Sequence, residues 1–254
     1  VATPAWKFTL PAGSAYDFAQ EDDRIRFADA YMERLRECGI EVIALADHNT
    51  GSWLPVMQDA GRRHGIVVFP GVEVTTASGS DGAHLILIGD LDRTEQDIDM
   101  LLARTCGFED DHPRFNPKTK DPAPAPRTVN QILDELPEQW LAIAPHVLGD
   151  NGLASGNTVR GDLRWKALHH DRLGAVDPGE VTEERQSGKS FAARFLNREL
   201  DNFPCLDRLP FLATSDAYSL ESLGSRYTWI RMDTPSKESL RQAFLDHGAR
   251  IIPS

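Results

Sequence analysis

Five side chains able to ligate a metal recur at one kind of place in this sequence. His48 follows the apolar run 41–46 in ALADHNT, and Glu73 follows 66–70 in PGVEVTT. His84 opens the run 84–88, His146 follows 140–145 in IAPHV, and Asp216 follows 210–214 in TSDAYS. A polar group at the end of a buried strand costs free energy unless it binds something there. Three imidazoles and two carboxylates form a mixed nitrogen–oxygen donor set. Imidazole suits zinc, iron or manganese, and carboxylates can bridge two ions. Such a cluster can activate water and clamp phosphoryl oxygens. A lone histidine is more often a hydrogen-bonded surface or core residue; recurrence at successive strand ends is what favours metal. His84 is the imperfect member, because it precedes the bulk of its run.

The elements that must position these residues are legible as alternating patterns. Strand candidates lie at 41–46, 66–70, 84–88, 140–145, 173–176, 210–214 and 227–232, most rich in Val, Ile, Leu or aromatics. Helix candidates lie between them, near 21–38, 53–63, 94–104, 128–136, 189–200 and 237–247. The first carries Ile25, Ala28, Met32 and Leu35 on one stripe and stops at Gly39. Thr128 and Ser236 are placed as N-caps. Alternation of this kind, with near-continuous apolar strands, predicts a parallel sheet covered by helices. About seven units in 254 residues suit a β/α barrel, where functional residues sit at the C-terminal ends of the strands. Two stretches break the pattern. Residues 105–127 are proline-rich and residues 147–163 contain VLGDNGLASGNTVRGDL; both are expected to be long loops.

Composition narrows the class. The apolar share of 41% and charged share of 26% are those of an ordinary globular chain. No apolar run approaches a membrane span, and the first residues lack a basic-then-apolar leader pattern. Three cysteines without a C-x-x-C pair suggest reduced thiols and a cytoplasmic location. A net charge of −12 argues against tight non-specific binding of nucleic acid by this chain alone. It leaves a nuclease open, because bound divalent cations change the local sign of a site. SGKS at 187–190 is not a P-loop, since the required glycine is Glu183.

Taken in order, ALADHNT, PGVEVTT, AHLILIG, IAPHV and TSDAYS resemble the motifs of the PHP (polymerase and histidinol phosphatase) superfamily, over about residues 6–252. The resemblance implies a distorted (β/α)7 barrel, here a single domain over 1–254, with one to three divalent ions (zinc, manganese or iron) at the C-terminal ends of its strands. It implies a phosphoesterase, with Glu73, His48 and Asp216 in the catalytic roles. Glu73, His84 and His146 would make one metal site. Glu73 and Asp216 would serve a second, and His48 a third, with Asp17 of SAYDF as its candidate partner. WKF…TLPAGSAYDF and SRYTWIRMDTPSKESLRQAF further resemble PHP domains fused to SMC-like ATPases, some of them in antiphage defence. That narrower likeness implies nucleic-acid ends or nucleotides as substrates and an ATPase domain or subunit as partner. Arg160, Arg164 and Arg185, near loops after the fourth and fifth strands, are candidate phosphate-binding groups.

Two departures bear on activity. The family's first strand ends in His-x-His, yet here Phe8 runs directly into Thr9, with no histidine before His48. Either the pair is lost or a segment is missing there, and a missing segment predicts a break or an unordered loop at Phe8–Thr9. Tyr218 stands where the family usually has a histidine. Two rival readings therefore stand beside the phosphoesterase: a PHP-shaped interaction or regulatory module without metal, and an amidohydrolase-like barrel that cleaves a C–N bond.

Overall fold

The computed structural model describes residues 8–78, 82–155, 161–180, 182 and 190–253. Its first helix, α1 (Glu21–Glu37), buries Phe27, Ala28, Tyr31, Met32 and Leu35, close to the expected stripe. Acidic residues fill its first turn and Arg34 and Arg36 its last, as the helix dipole favours. Strand β1 (Val42–Ala44), helix α2 (Leu54–His64) and strand β2 (Val67–Phe69) make a parallel βαβ unit, with Val42 opposite Val67. Gly65 ends α2 in the left-handed conformation, at φ 73°.

After Pro70 the chain continues as β3 (Gly71–Thr75), which pairs antiparallel with β4 (His84–Gly89). Strand β4 pairs antiparallel with β5 (Trp140–Ala144), and β5 pairs parallel with β6 (Leu173–Val176). Helices α3 (Glu95–Arg104) and α4 (Val129–Glu135) lie between β4 and β5, each opened by a full capping box, Thr94 with Asp97 and Thr128 with Gln131. Helix α5 (Gly161–His169) lies between β5 and β6. A helix at Phe191–Leu196, strand β7 (Thr228–Ile230), a helix at Lys237–Leu245 capped by Ser236, and strand β8 (Ile251–Pro253) complete the described chain. No described helix is long and apolar enough to cross a membrane.

The α/β class stands, but two of the three pairings in the central sheet are antiparallel, so the expected parallel sheet is not formed, and no closed barrel is seen among the described strands. Among the described residues they make sheets of two, four and two strands, joined by single bridges such as His48–Glu73 and Val176–Phe211. The connection 76–83 explains the departure. A parallel return needs a crossover of a dozen or more residues, and this segment is too short for one. The candidate strand 210–214 is reduced to the bridge at Phe211, and 71–75, which follows the candidate strand 66–70, is itself a strand. Part of the expected loop 147–163 belongs to α5. Residues 105–127 do form a long irregular segment, with one internal bridge between Phe115 and Pro122.

The central sheet is buried on both faces. Val72, Val74, Leu85, Leu87 and Ala142 pack into the main core with α1–α4, while Ile88, Leu141, Ile143 and Ala175 pack on the other face with Leu240 and Phe244. Strand alternation puts Glu73 on this second face. Beneath Glu73 and Asp216 that face borders a largely apolar cavity of about 270 Å³.

Phe8 packs edge-on against Phe27, with ring centroids 5.5 Å apart, and Thr9 donates its N–H to the Tyr218 carbonyl at 2.7 Å. Tyr16 and Phe18 join the same aromatic cluster over Phe27 and Trp53. The three cysteines are free thiols. Burial pushes Cys106 up to about 12 and Cys205 up to about 11, so neither is poised as a nucleophile.

Candidate metal centre

The antiparallel direction of β4 resolves the anomaly of His84. Its partner across the ladder is Thr75, the last residue of β3, so the start of β4 lies beside the end of β3. His48 is tied to the same level by backbone pairing. Glu73 donates its N–H to the Asp47 carbonyl and accepts the Asn49 N–H, both at 3.0 Å. His146 leaves β5 two residues after its end. A strand beginning and several strands ending thus meet at one rim.

There, His48, Glu73 and His84 present ligand atoms that all lie within 4.8 Å of one another. Glu73 Oε1 is 2.6 Å from His84 Nδ1 and 3.4 Å from His146 Nε2, and Glu73 Oε2 is 3.8 Å from His48 Nε2. His84 Nδ1 and His146 Nε2 are 3.2 Å apart. Two atoms each bound to one zinc ion at a tetrahedral angle lie about 3.3 Å apart. The nitrogen-rich set and most of these separations therefore fit a divalent cation.

Electrostatics agree with a cation-seeking site. Burial alone would raise the Glu73 carboxyl. Hydrogen bonds with His146 and His84, with the charges of His48 and His84, outweigh burial and hold it well below the usual carboxylate range. At His146 burial acts to lower the imidazole, but Glu73, Asp216 and Asp177 raise it on balance. Asp216 is raised by its own burial and then by repulsion from Glu73. Tyr218 is raised by burial first and then by Asp216, Glu73 and Asp47. Metal would relieve this crowding of carboxylates.

Backbone strain concentrates here too. Asn49, His146 and Asp216 hold φ at 54°, 30° and 42°, positive values that non-glycine residues rarely adopt and that cluster at functional sites. Asn49 is fully buried, and its Nδ2 donates to the carbonyls of Arg114 and Ala123, pinning the long loop to the rim. Asn49→Ala should lose about 1–3 kcal/mol for two hydrogen bonds. It should also open 105–127 to limited proteolysis; a wild-type melting point and digestion pattern would refute the pin.

Not every expected site residue comes to the cluster. Asp17 is exposed, and it accepts the Ala19 N–H at 3.1 Å. Its neighbours Tyr16 and Phe18 turn inward to the aromatic cluster, while Asp17 faces solvent. Asp216 borders the cavity with Glu73. Arg164 donates to the Ser155 carbonyl at 2.6 Å, stacks over Phe191 and lines a separate cleft with Trp165 and Phe203. Arg160 and Arg185 lie outside the described residues.

Sequence reasoning missed Asn151 and Asp177. Asn151 faces His84 Nε2 at 3.0 Å, and its carbonyl accepts the His84 N–H at 2.9 Å. A ligating histidine is commonly oriented by such a partner on its other nitrogen. No sequence signal marks Asn151. Asp177 carried one: like Asp47, it closes an apolar run, GAVDPG.

Comparison with known proteins gives fold likeness. The sequence matches no family profile and no curated protein. Among solved structures, a two-domain protein from Bacteroides vulgatus, described as containing a predicted PHP-like metal-dependent phosphoesterase, superposes with a TM-score of 0.53 at 13% identity. The match covers 89% of this chain and 59% of that one, so this chain spans less than two thirds of that protein. A candidate metal-dependent phosphoesterase from Bifidobacterium adolescentis gives a TM-score of 0.47 at 16% identity over 75% of this chain and 82% of that one. At this identity the likeness to the Bacteroides protein is one of fold.

Proposed function

We propose that this chain is a metal-dependent phosphoesterase of the PHP type, acting on nucleic-acid ends or nucleotides, with an ATPase as neighbouring domain or subunit. The observation that supports it best is the meeting of His48, Glu73 and His84, with His146 alongside, at one rim of the sheet. A divalent ion bound there would supply Lewis acidity toward water and phosphoryl oxygens. The chain's own residues would prepare the place. Glu73 supplies the central negative charge, Asn151 orients the His84 ring, and Asp216 adds a carboxylate at the cavity wall. Arg160 and Arg185 remain the candidate phosphate-binding groups, whereas Arg164 is engaged at its own cleft.

One observation favours the rival reading of a module without activity. No histidine precedes His48 in the sequence, and Tyr218 stands where the family usually has one. The deciding experiment is metal analysis of protein purified without chelator, with hydrolysis of bis(p-nitrophenyl) phosphate and of end-labelled single-stranded DNA under added manganese, zinc or iron. Near-stoichiometric metal and turnover that depends on it are expected. Protein that takes up no metal and cleaves neither substrate would leave the module, and cleavage of amides alone would favour the amidohydrolase reading.

A further inference from the structure

We infer that Asp177 is the positioning residue of this centre, acting through Thr214 on Asp216 and through its own main chain on His146; the inference rests on the metal reading above. Asp177 follows β6 and is 2% exposed. A buried carboxylate needs several donors, and this one takes them from separate segments. Oδ1 accepts the Gly179 N–H at 2.8 Å and Arg226 Nη2 at 2.9 Å. Oδ2 accepts the Thr214 hydroxyl at 2.5 Å and the Thr214 N–H at 3.2 Å. Thr214 stands two residues before Asp216, whose φ of 42° needs an outside constraint.

The main chain of Asp177 reaches the other side of the site. Its N–H donates to Ala144 at 2.9 Å and its carbonyl accepts the Val147 N–H at 2.7 Å, bracketing His146. Gly179, at φ 80°, packs so closely that a Cβ there would lie 3.1 Å from His146 Cα. One residue thus fixes the two strained site residues His146 and Asp216 relative to each other.

The two oxygens allow the role to be separated from bulk stability. Thr214→Val removes the hydroxyl donor to Oδ2 with little change of shape, Arg226→Gln removes an ion-pair partner of Oδ1, and Asp177→Asn disturbs both. Zinc(II) affinity is measured by competition with a chromogenic chelator. Amide hydrogen exchange is followed in peptides covering 144–149 and 212–219. Thr214→Val and Asp177→Asn should weaken zinc binding about tenfold or more, as loss of a supporting partner does, and speed exchange in 212–219. Asp177→Asn should also speed exchange in 144–149. Arg226→Gln should lower the melting temperature and weaken zinc binding less than Thr214→Val does. Wild-type exchange in both peptides of Asp177→Asn, or equal zinc losses in Arg226→Gln and Thr214→Val, would overturn the inference. Wild-type protein that takes up no zinc would instead reject the metal reading, and exchange in 212–219 would still decide the positioning.

Discussion

Glu73→Gln is expected to strip metal from the protein and abolish any hydrolysis that depends on it, while the fold persists. The Glu73 carboxylate lies within 4 Å of His48, His84 and His146 together. His48 lies farther from the Glu73 carboxylate, at 3.8 Å, than His84 or His146 does, so His48→Ala should cost less. Glutamine keeps the shape but removes the charge, and an amide cannot bridge two cations. Loss of a partner outside the ligand shell alone costs about 10–100-fold in metal affinity, so loss of the central carboxylate should exceed about 100-fold. If Glu73 were only a structural partner of the histidines, removing its charge would lower the melting temperature without changing metal content. Metal stoichiometry and phosphodiester turnover of both variants, with circular dichroism as the folding control, decide the matter. Glu73→Gln with wild-type metal content would reject its central role.

Gly152→Ala is expected to be nearly as damaging, although residue 152 has no side chain to offer. A Cβ there would sit 2.3 Å from the Val147 carbonyl group and 2.4 Å from the His146 carbonyl oxygen. These are backbone atoms that cannot swing aside. The turn 146–152 is closed by Gly149 N–H to His146 and Gly152 N–H to Gly149, and it carries His146 at one end and Asn151 near the other. Overpacking of this kind costs about 1–3 kcal/mol. Moving the turn would displace one candidate ligand and the partner of another, so zinc affinity should fall about 10–100-fold. Asp150→Ala, in the same turn, serves as control and should change neither. A Gly152→Ala protein with wild-type melting point and zinc affinity would show that the turn does not set the site.

Much of the architecture was legible because each residue's own preference and its chain neighbours settle it. The apolar stripe of α1, the caps at Thr128 and Ser236, and the apolar runs of β1, β2, β4, β5 and β6 depend on periodicity and local hydrogen bonding alone. So did the gathering of candidate ligands near strand ends, since buried strands seldom end in histidine and acid without a reason. Strand direction was the hidden part. Apolar runs look alike whichever way they point, and only the short connection 76–83 carried the information that β4 must return antiparallel. That reversal alone places His84 beside Glu73.

Other features had no local signature at all. Asp17 sits in an acidic-looking motif, but the inward packing of Tyr16 and Phe18 on Trp53 and Phe27 turns it to solvent. Asn49 pins a loop some seventy residues away, and Asn151 meets His84 across a separation of 67 residues. Asp177 ties together three segments that only folding brings near. By itself the sequence determined which side chains are chemically able to hold a cation and on which elements they ride. The tertiary structure decided which of them converge, because convergence depends on strand direction and on long-range packing that no short window of residues encodes.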